Sequence, residues 1–170
     1  MARRGSVAGK LMVGGEYAVL TGQSRSLAAA VGSLARWSLD EGKGVSLAAF
    51  GSEWRWSEAS GAPQGIGQLV QRCLSDAAAH GFGLIGHLSL EVDGEVAGTK
   101  VGLGTSAATV VATMAACAAS SPQNVPAALV HERAHATHRA SQGGKGSGYD
   151  VGTVLTGGCA LYDRPTETTT

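Results

Sequence analysis

The stretch Lys100–Ala108, KVGLGTSAA, decides how this chain is read. A Gly-Leu-Gly turn passes directly into Thr105, Ser106 and a long apolar run, Ala107–Ala119. Glycines let the backbone turn tightly with its N–H groups facing one point. A helix that starts at once aims its positive N-terminal end at the same point. Such a pattern builds a seat for an anion, with phosphate the natural occupant. The competing reading is an ordinary helix start, in which a hydroxyl of Thr105 or Ser106 serves only as the cap. Glycine-rich turns before helices are common, so the loop alone leaves the two readings evenly matched. It has no Gly-Lys-Ser/Thr of a Walker A loop and no clean dinucleotide fingerprint.

Working outward, the chain is long enough at 170 residues for one domain with a real core, and 44% of its residues are hydrophobic. The formal net charge is zero, which gives no electrostatic case for nucleic acid. Glycine is abundant, 26 of 170 residues, against a usual share of about 7%. The glycines fall in short clusters rather than at a fixed period, so turns and close backbone approaches are expected rather than a linker. Cys73, Cys117 and Cys159 are odd in number and far apart, which supports neither a disulfide framework nor a Cys-x-x-Cys metal site. They are expected as buried, reduced thiols of a cytoplasmic protein. The apolar run is too short to span a bilayer.

The pattern predicts an α+β domain. Strands are expected over 7–13, 35–39, 45–50, 53–57, 87–93 and 159–162, and a small-residue strand or buried segment over 27–31. Trp54 and Trp56 alternate onto one face and read as sheet packing. Helices are expected over 66–79, where Ile66, Leu69, Val70, Cys73, Leu74 and Ala77 recur at helical spacing, and over 105–119. Two more are expected over 125–141, with Pro126 in the first turn, and over 149–155. Residues 165–170 have no apolar side chain and are expected to be disordered.

Three further segments could carry chemistry. Gly143–Asp150, GGKGSGYD, sets a carboxylate at the start of a helix after a glycine turn. There Asp150 either complements the helix dipole or orients a substrate hydroxyl. Gly9–Leu20, GKLMVGGEYAVL, places Lys10 inside an apolar strand pattern and Glu16 after a double glycine. Surface placement of both is the plainer reading. His131, Glu132 and His135 match His-Glu-x-x-His on a helix, with His138 following. A zinc hydrolase would need that pattern. Arg133 and Arg139 put positive charge beside it and no downstream carboxylate completes it, so a solvated helix face is favoured.

Taken in order, Gly9–Leu20, Lys100–Ala108 and Gly144–Gly158 resemble the three motifs of the GHMP kinase family, which holds galactokinase and the homoserine, mevalonate and phosphomevalonate kinases. The resemblance covers residues 7 to 162. It leans toward phosphomevalonate kinase, through GEYAVL, through Lys100 two residues before GLG, and through the string Gly146–Val151 with Tyr149. Mevalonate kinase is the nearest rival.

The resemblance implies an ATP-binding N-terminal domain over 1–164, of ribosomal protein S5 domain 2-like fold, with a mixed or antiparallel sheet packed on helices. It implies ATP and Mg2+ as cofactors and a small phosphorylated or hydroxylated acceptor, within isoprenoid biosynthesis. Lys100, Gly102, Leu103, Gly104, Thr105, Ser106 and Ala107 would hold the nucleotide, with Ser106 the metal ligand. Asp150 and Lys10 would be catalytic and close together. Lys10, Glu16, Tyr17, Ser147 and Gly148 would contact the acceptor. Ala8 replaces the family's usual proline. Arg139 stands where some relatives carry a magnesium-binding glutamate. The family's C-terminal domain is absent from the sequence, so an exposed apolar face and self-association are expected.

Overall fold

The structure, a computed structural model, describes residues 3–15, 25–49, 52–56, 63–96, 99–100, 102–144, 148–163, 166 and 168–170. Its spine is a long antiparallel pair, β1 (Arg3–Gly14) on β2 (Arg25–Asp40). β1 lines one edge of β2 along nearly its whole length. The other edge is shared. Arg25–Ala29 pairs with β8 (Cys159–Asp163), and Ala35–Asp40 pairs with β5 (His87–Val92). The sequence splits β2 into two strands at Gly32-Ser33, whereas the structure joins them. Gly32 takes φ 54°, which bends the strand without ending it, and the β1 register shifts between Val7 and Gly9 opposite this bend.

Beyond β5 lie β3 (Gly44–Ala49), parallel to it, and β4 (Ser52–Trp56), antiparallel to β3. These complete a seven-stranded mixed sheet with β9 (Thr168–Thr169), which pairs with β8. A small separate hairpin joins β6 (Glu95–Val96) to β7 (Thr99–Lys100). The α+β class is therefore as expected. The tail is not. The backbone of Thr170 exchanges two hydrogen bonds with Leu161, because β8 offers a free edge that satisfies main-chain groups whatever the side chains are. The side chains of Trp54 and Trp56 lie outside the described residues.

Among the described residues four helices cover one face: α1 (Ile66–Ala79), α2 (Thr105–Ser120), α3 (Ala127–Ser141) and α4 (Tyr149–Thr156). Pro126 is the residue before α3 rather than its first turn. α2 is central, packed on β1 and β2 and flanked by the other three helices. Every residue from 107 to 114 in it is buried, as suits a helix apolar on all sides. Its buried threonines are satisfied within the helix: Thr109 donates to the Thr105 carbonyl and Thr113 to that of Thr109, each at 2.8 Å. Asp76 of α1 takes a two-pronged bond from Arg133 of α3, at 2.9 and 2.6 Å.

The far face of the sheet is bare at one end. By register Leu11, Leu27 and Leu161 share it, and all three are exposed, as is Val13. Cys159 is exposed on this face too, against expectation, because β8 alternates and sends Ala160 and Tyr162 inward instead. Cys73 and Cys117 are buried, and burial pushes the Cys117 thiol up to about 12.

Leu90 of β5 lies fully inside, between sheet and helices. Leu90→Ala is expected to cost about 2–5 kcal/mol of stability. Urea unfolding followed by circular dichroism measures it, and a loss below about 1 kcal/mol would contradict this account of the core.

Candidate active site

Period-2 alternation sends Lys10 to the helix-covered face, the face that also carries Ala28 and Tyr162. It is buried, not surface-placed, because α4 lies over this end of β1. Its backbone N–H donates to the Leu103 carbonyl at 2.8 Å, tying the strand to the glycine loop. Its ammonium donates to the Tyr149 hydroxyl at 2.8 Å and lies 4.7 Å from the centroid of that ring. Asp150 Oδ1 is 2.9 Å from Nζ, an ion pair off the direction of a hydrogen bond.

Burial alone would lower the Lys10 pKa. The Tyr149 hydrogen bond and the Asp150 charge outweigh it, and the group is held above its ordinary 10.5. Tyr149 is also raised, chiefly by burial, although its Lys10 contact opposes this.

The glycine loop meets this cluster from the other side. The residue before α2 is Gly104, at φ 77° and ψ 34°, and no side chain caps the helix, so neither Thr105 nor Ser106 serves as the cap. The first-turn N–H groups are thereby left for another acceptor. A Cβ on Gly104 would sit 2.6 Å from Lys10 Cγ, so only glycine lets the lysine stem cross here. α4 starts the same way, after Gly148 at φ 88°, where a Cβ would strike the His135 imidazole.

These elements enclose an open cavity of about 820 Å³ lined by Lys10, Gly102, Gly104, Thr105, Ser106 and Asp150. Its remaining wall comes from α1 and the residue before it, through Gly65, Ile66, Gln68, Leu69 and Arg72, and from Ser141 at the end of α3. The sequence shows the polar stripe of α1 but not that it borders the loop. Glu16, Tyr17 and Ser147 lie outside the described residues, as does the side chain of Lys100.

His138 departs most from expectation. It is almost wholly buried, and its Nε2 lies 3.0 Å from Ser106 Oγ. Burial holds its pKa below 6.5, with Asp150 opposing and His135 and Lys10 assisting. Glu132 is largely exposed beside Arg133, and the described residues contain no cluster of three metal-ligating side chains. The zinc reading finds no support in this geometry.

The GHMP kinases N terminal domain family matches residues 68–158, more than half of the chain, and the chain belongs to that family. Solved structures share the fold. A Lin0012 protein from Listeria innocua has 24% identity and a TM-score of 0.76, with 96% of this chain and 48% of that one covered. Phosphomevalonate kinase of Streptococcus pneumoniae, in complex with phosphomevalonate and AMPPNP, has 23% identity and a TM-score of 0.74, covering 98% and 51%. Lactococcus lactis galactokinase complexed with galactose has 18% identity and a TM-score of 0.74, covering 99% and 46%. The chain thus spans about half the length of these structures. No curated protein matches it. No helix among the described residues is long and apolar enough to cross a membrane.

Two outcomes test this geometry. Gly104→Ala is expected to destabilise the fold by about 1–3 kcal/mol, through the left-handed backbone and the lysine contact. Gly102→Ala, whose Cβ meets nothing within 4 Å, should stay within about 0.5 kcal/mol. Equal effects in thermal melts would refute the contrast. Lys10 contributes stability in full below its unfolded pKa, near 10.5, and loses it as pH rises through the higher folded value. The stability gap between wild type and Lys10→Met should therefore narrow above pH 10.5 in denaturant titrations; a widening gap would reverse the sign.

Proposed function

We propose that this chain is the nucleotide-holding half of an ATP-dependent small-molecule kinase. The convergence that carries the reading is the uncapped start of α2 facing Lys10 and Asp150 across one cavity. A triphosphate suits the open N–H groups of Gly104–Ala107, and Ser106 offers a hard oxygen of the kind Mg2+ takes. When bound, Mg·ATP supplies the transferable phosphoryl group. The loop Gly102–Ala107, with Lys100, holds the phosphates in place. Asp150, paired with the Lys10 ammonium on the cavity wall, takes or orients the proton of an incoming oxygen. Lys10 offsets charge that develops on the transferring group. Glu16, Tyr17, Ser147 and Gly148 are assigned to the acceptor on the family resemblance.

We read the acceptor as phosphomevalonate, from GEYAVL, Lys100 and the Gly146–Val151 string. One observation favours a second reading, a mevalonate-type hydroxyl acceptor. A hydroxyl needs a base, whereas a phosphate oxygen hardly does, and Asp150 sets a carboxylate on the cavity wall, paired with the Lys10 ammonium.

Calorimetry with AMPPNP and Mg2+ tests nucleotide binding, and the absence of binding would refute the proposal. Transfer of labelled γ-phosphate to phosphomevalonate or mevalonate is then measured, with the chain alone and with a related kinase's C-terminal domain added. Asp150→Asn is expected to lose about 10²–10⁴-fold in rate while keeping AMPPNP affinity. Unchanged turnover in that variant would remove Asp150 from the chemistry.

A further inference from the structure

Ser106 is unlike the other hydroxyl residues of α2. Thr109 and Thr113 turn back to carbonyls four residues earlier. Ser106 is in the first turn, is not used as the cap, and reaches across to α3, where His138 Nε2 lies 3.0 Å away. His138 in turn is 2% exposed, among the largest fully buried side chains of the domain. A buried polar ring costs free energy unless it is hydrogen-bonded, and Ser106 supplies that partner. The neighbouring Arg139 takes a different course, donating from Nε to the Gly144 carbonyl at 3.2 Å.

We propose that His138 is a positioning residue for this site, holding the Ser106 hydroxyl so that its oxygen faces the cation of the bound nucleotide. The inference rests on the kinase reading above. A serine oxygen that ligates a cation must send its own proton elsewhere. An imidazole Nε2 that accepts a hydrogen bond from this hydroxyl leaves the oxygen lone pairs turned toward the cavity. The same bond fixes the Ser106 rotamer in advance, as groups behind a metal ligand commonly do.

The test is the ratio of AMPPNP affinities measured with Mg2+ and with EDTA. Removing a group that orients a metal ligand typically costs about 10–100-fold in metal affinity. His138→Leu should therefore lower the ratio by about tenfold or more while leaving the EDTA affinity unchanged. His138→Gln, which can present an amide oxygen near the Nε2 position, should restore most of it. Adding His138→Leu to Ser106→Ala should cost nothing beyond Ser106→Ala alone. A long-range ¹H–¹⁵N spectrum of the free protein should show His138 Nε2 unprotonated, and this readout survives even if the leucine variant does not fold. Intact wild-type binding with an unchanged ratio in His138→Leu overturns this inference alone, as does an additive double variant or a protonated Nε2. No nucleotide binding by the wild type overturns the kinase reading, and this inference with it.

Discussion

A lysine ammonium buried against a sheet must be compensated, and much of this domain is arranged around compensating Lys10. Desolvation works against its charge, while Tyr149 and Asp150 restore it. Both partners come from the first turn of α4, so that helix has to begin where it does. The strand cannot shift along its axis either, because the Lys10 N–H is bonded to the loop at Leu103. The loop cannot carry a side chain at 104, because the lysine stem passes there. One cation thus fixes the mutual placement of a strand, a loop and a helix start.

α2 and α4 both begin after a glycine in the left-handed region, yet their electrostatic ends are used differently. The start of α4 already carries its own anion, Asp150, in its first turn. The start of α2 carries none and is left open to the cavity. Lys10 lies between them, neutralised on one side and available on the other.

Much of this was legible in the sequence because local rules governed it. Helical spacing marked α1, the apolar run marked α2, and the glycine-hydroxyl-apolar order marked the loop. What stayed hidden depended on contacts between distant segments. β2 reads as two strands because Gly32 is a break signal, and only β1, which pairs with both halves, shows that it continues. Lys10 reads as surface because a charge in an apolar strand is usually solvated; its partners lie beyond Gly148. His138 sits in a helix whose pattern suggests a solvated face, and its burial follows from how α3 leans on α2. The pairing of residues 168–170 was hidden because hydropathy says nothing of main-chain bonding to a strand edge.

The shared edge of β2 also has a bearing on how the chain folds. Its Ala35–Asp40 half finds β5 within the first hundred residues, but Arg25–Ala29 must wait for β8. The Lys10–Tyr149 bond spans 139 residues and the Arg25–Asp163 bond 138. Such closures pay chain entropy before they return contact energy, and they slow folding. During synthesis, which proceeds from the N-terminus, the β5 end of the sheet can form while the Lys10 end has no partner to close on. The chemical end of the domain is therefore the last to be assembled, and until then it leaves an unpaired strand edge and a charge without its counterion.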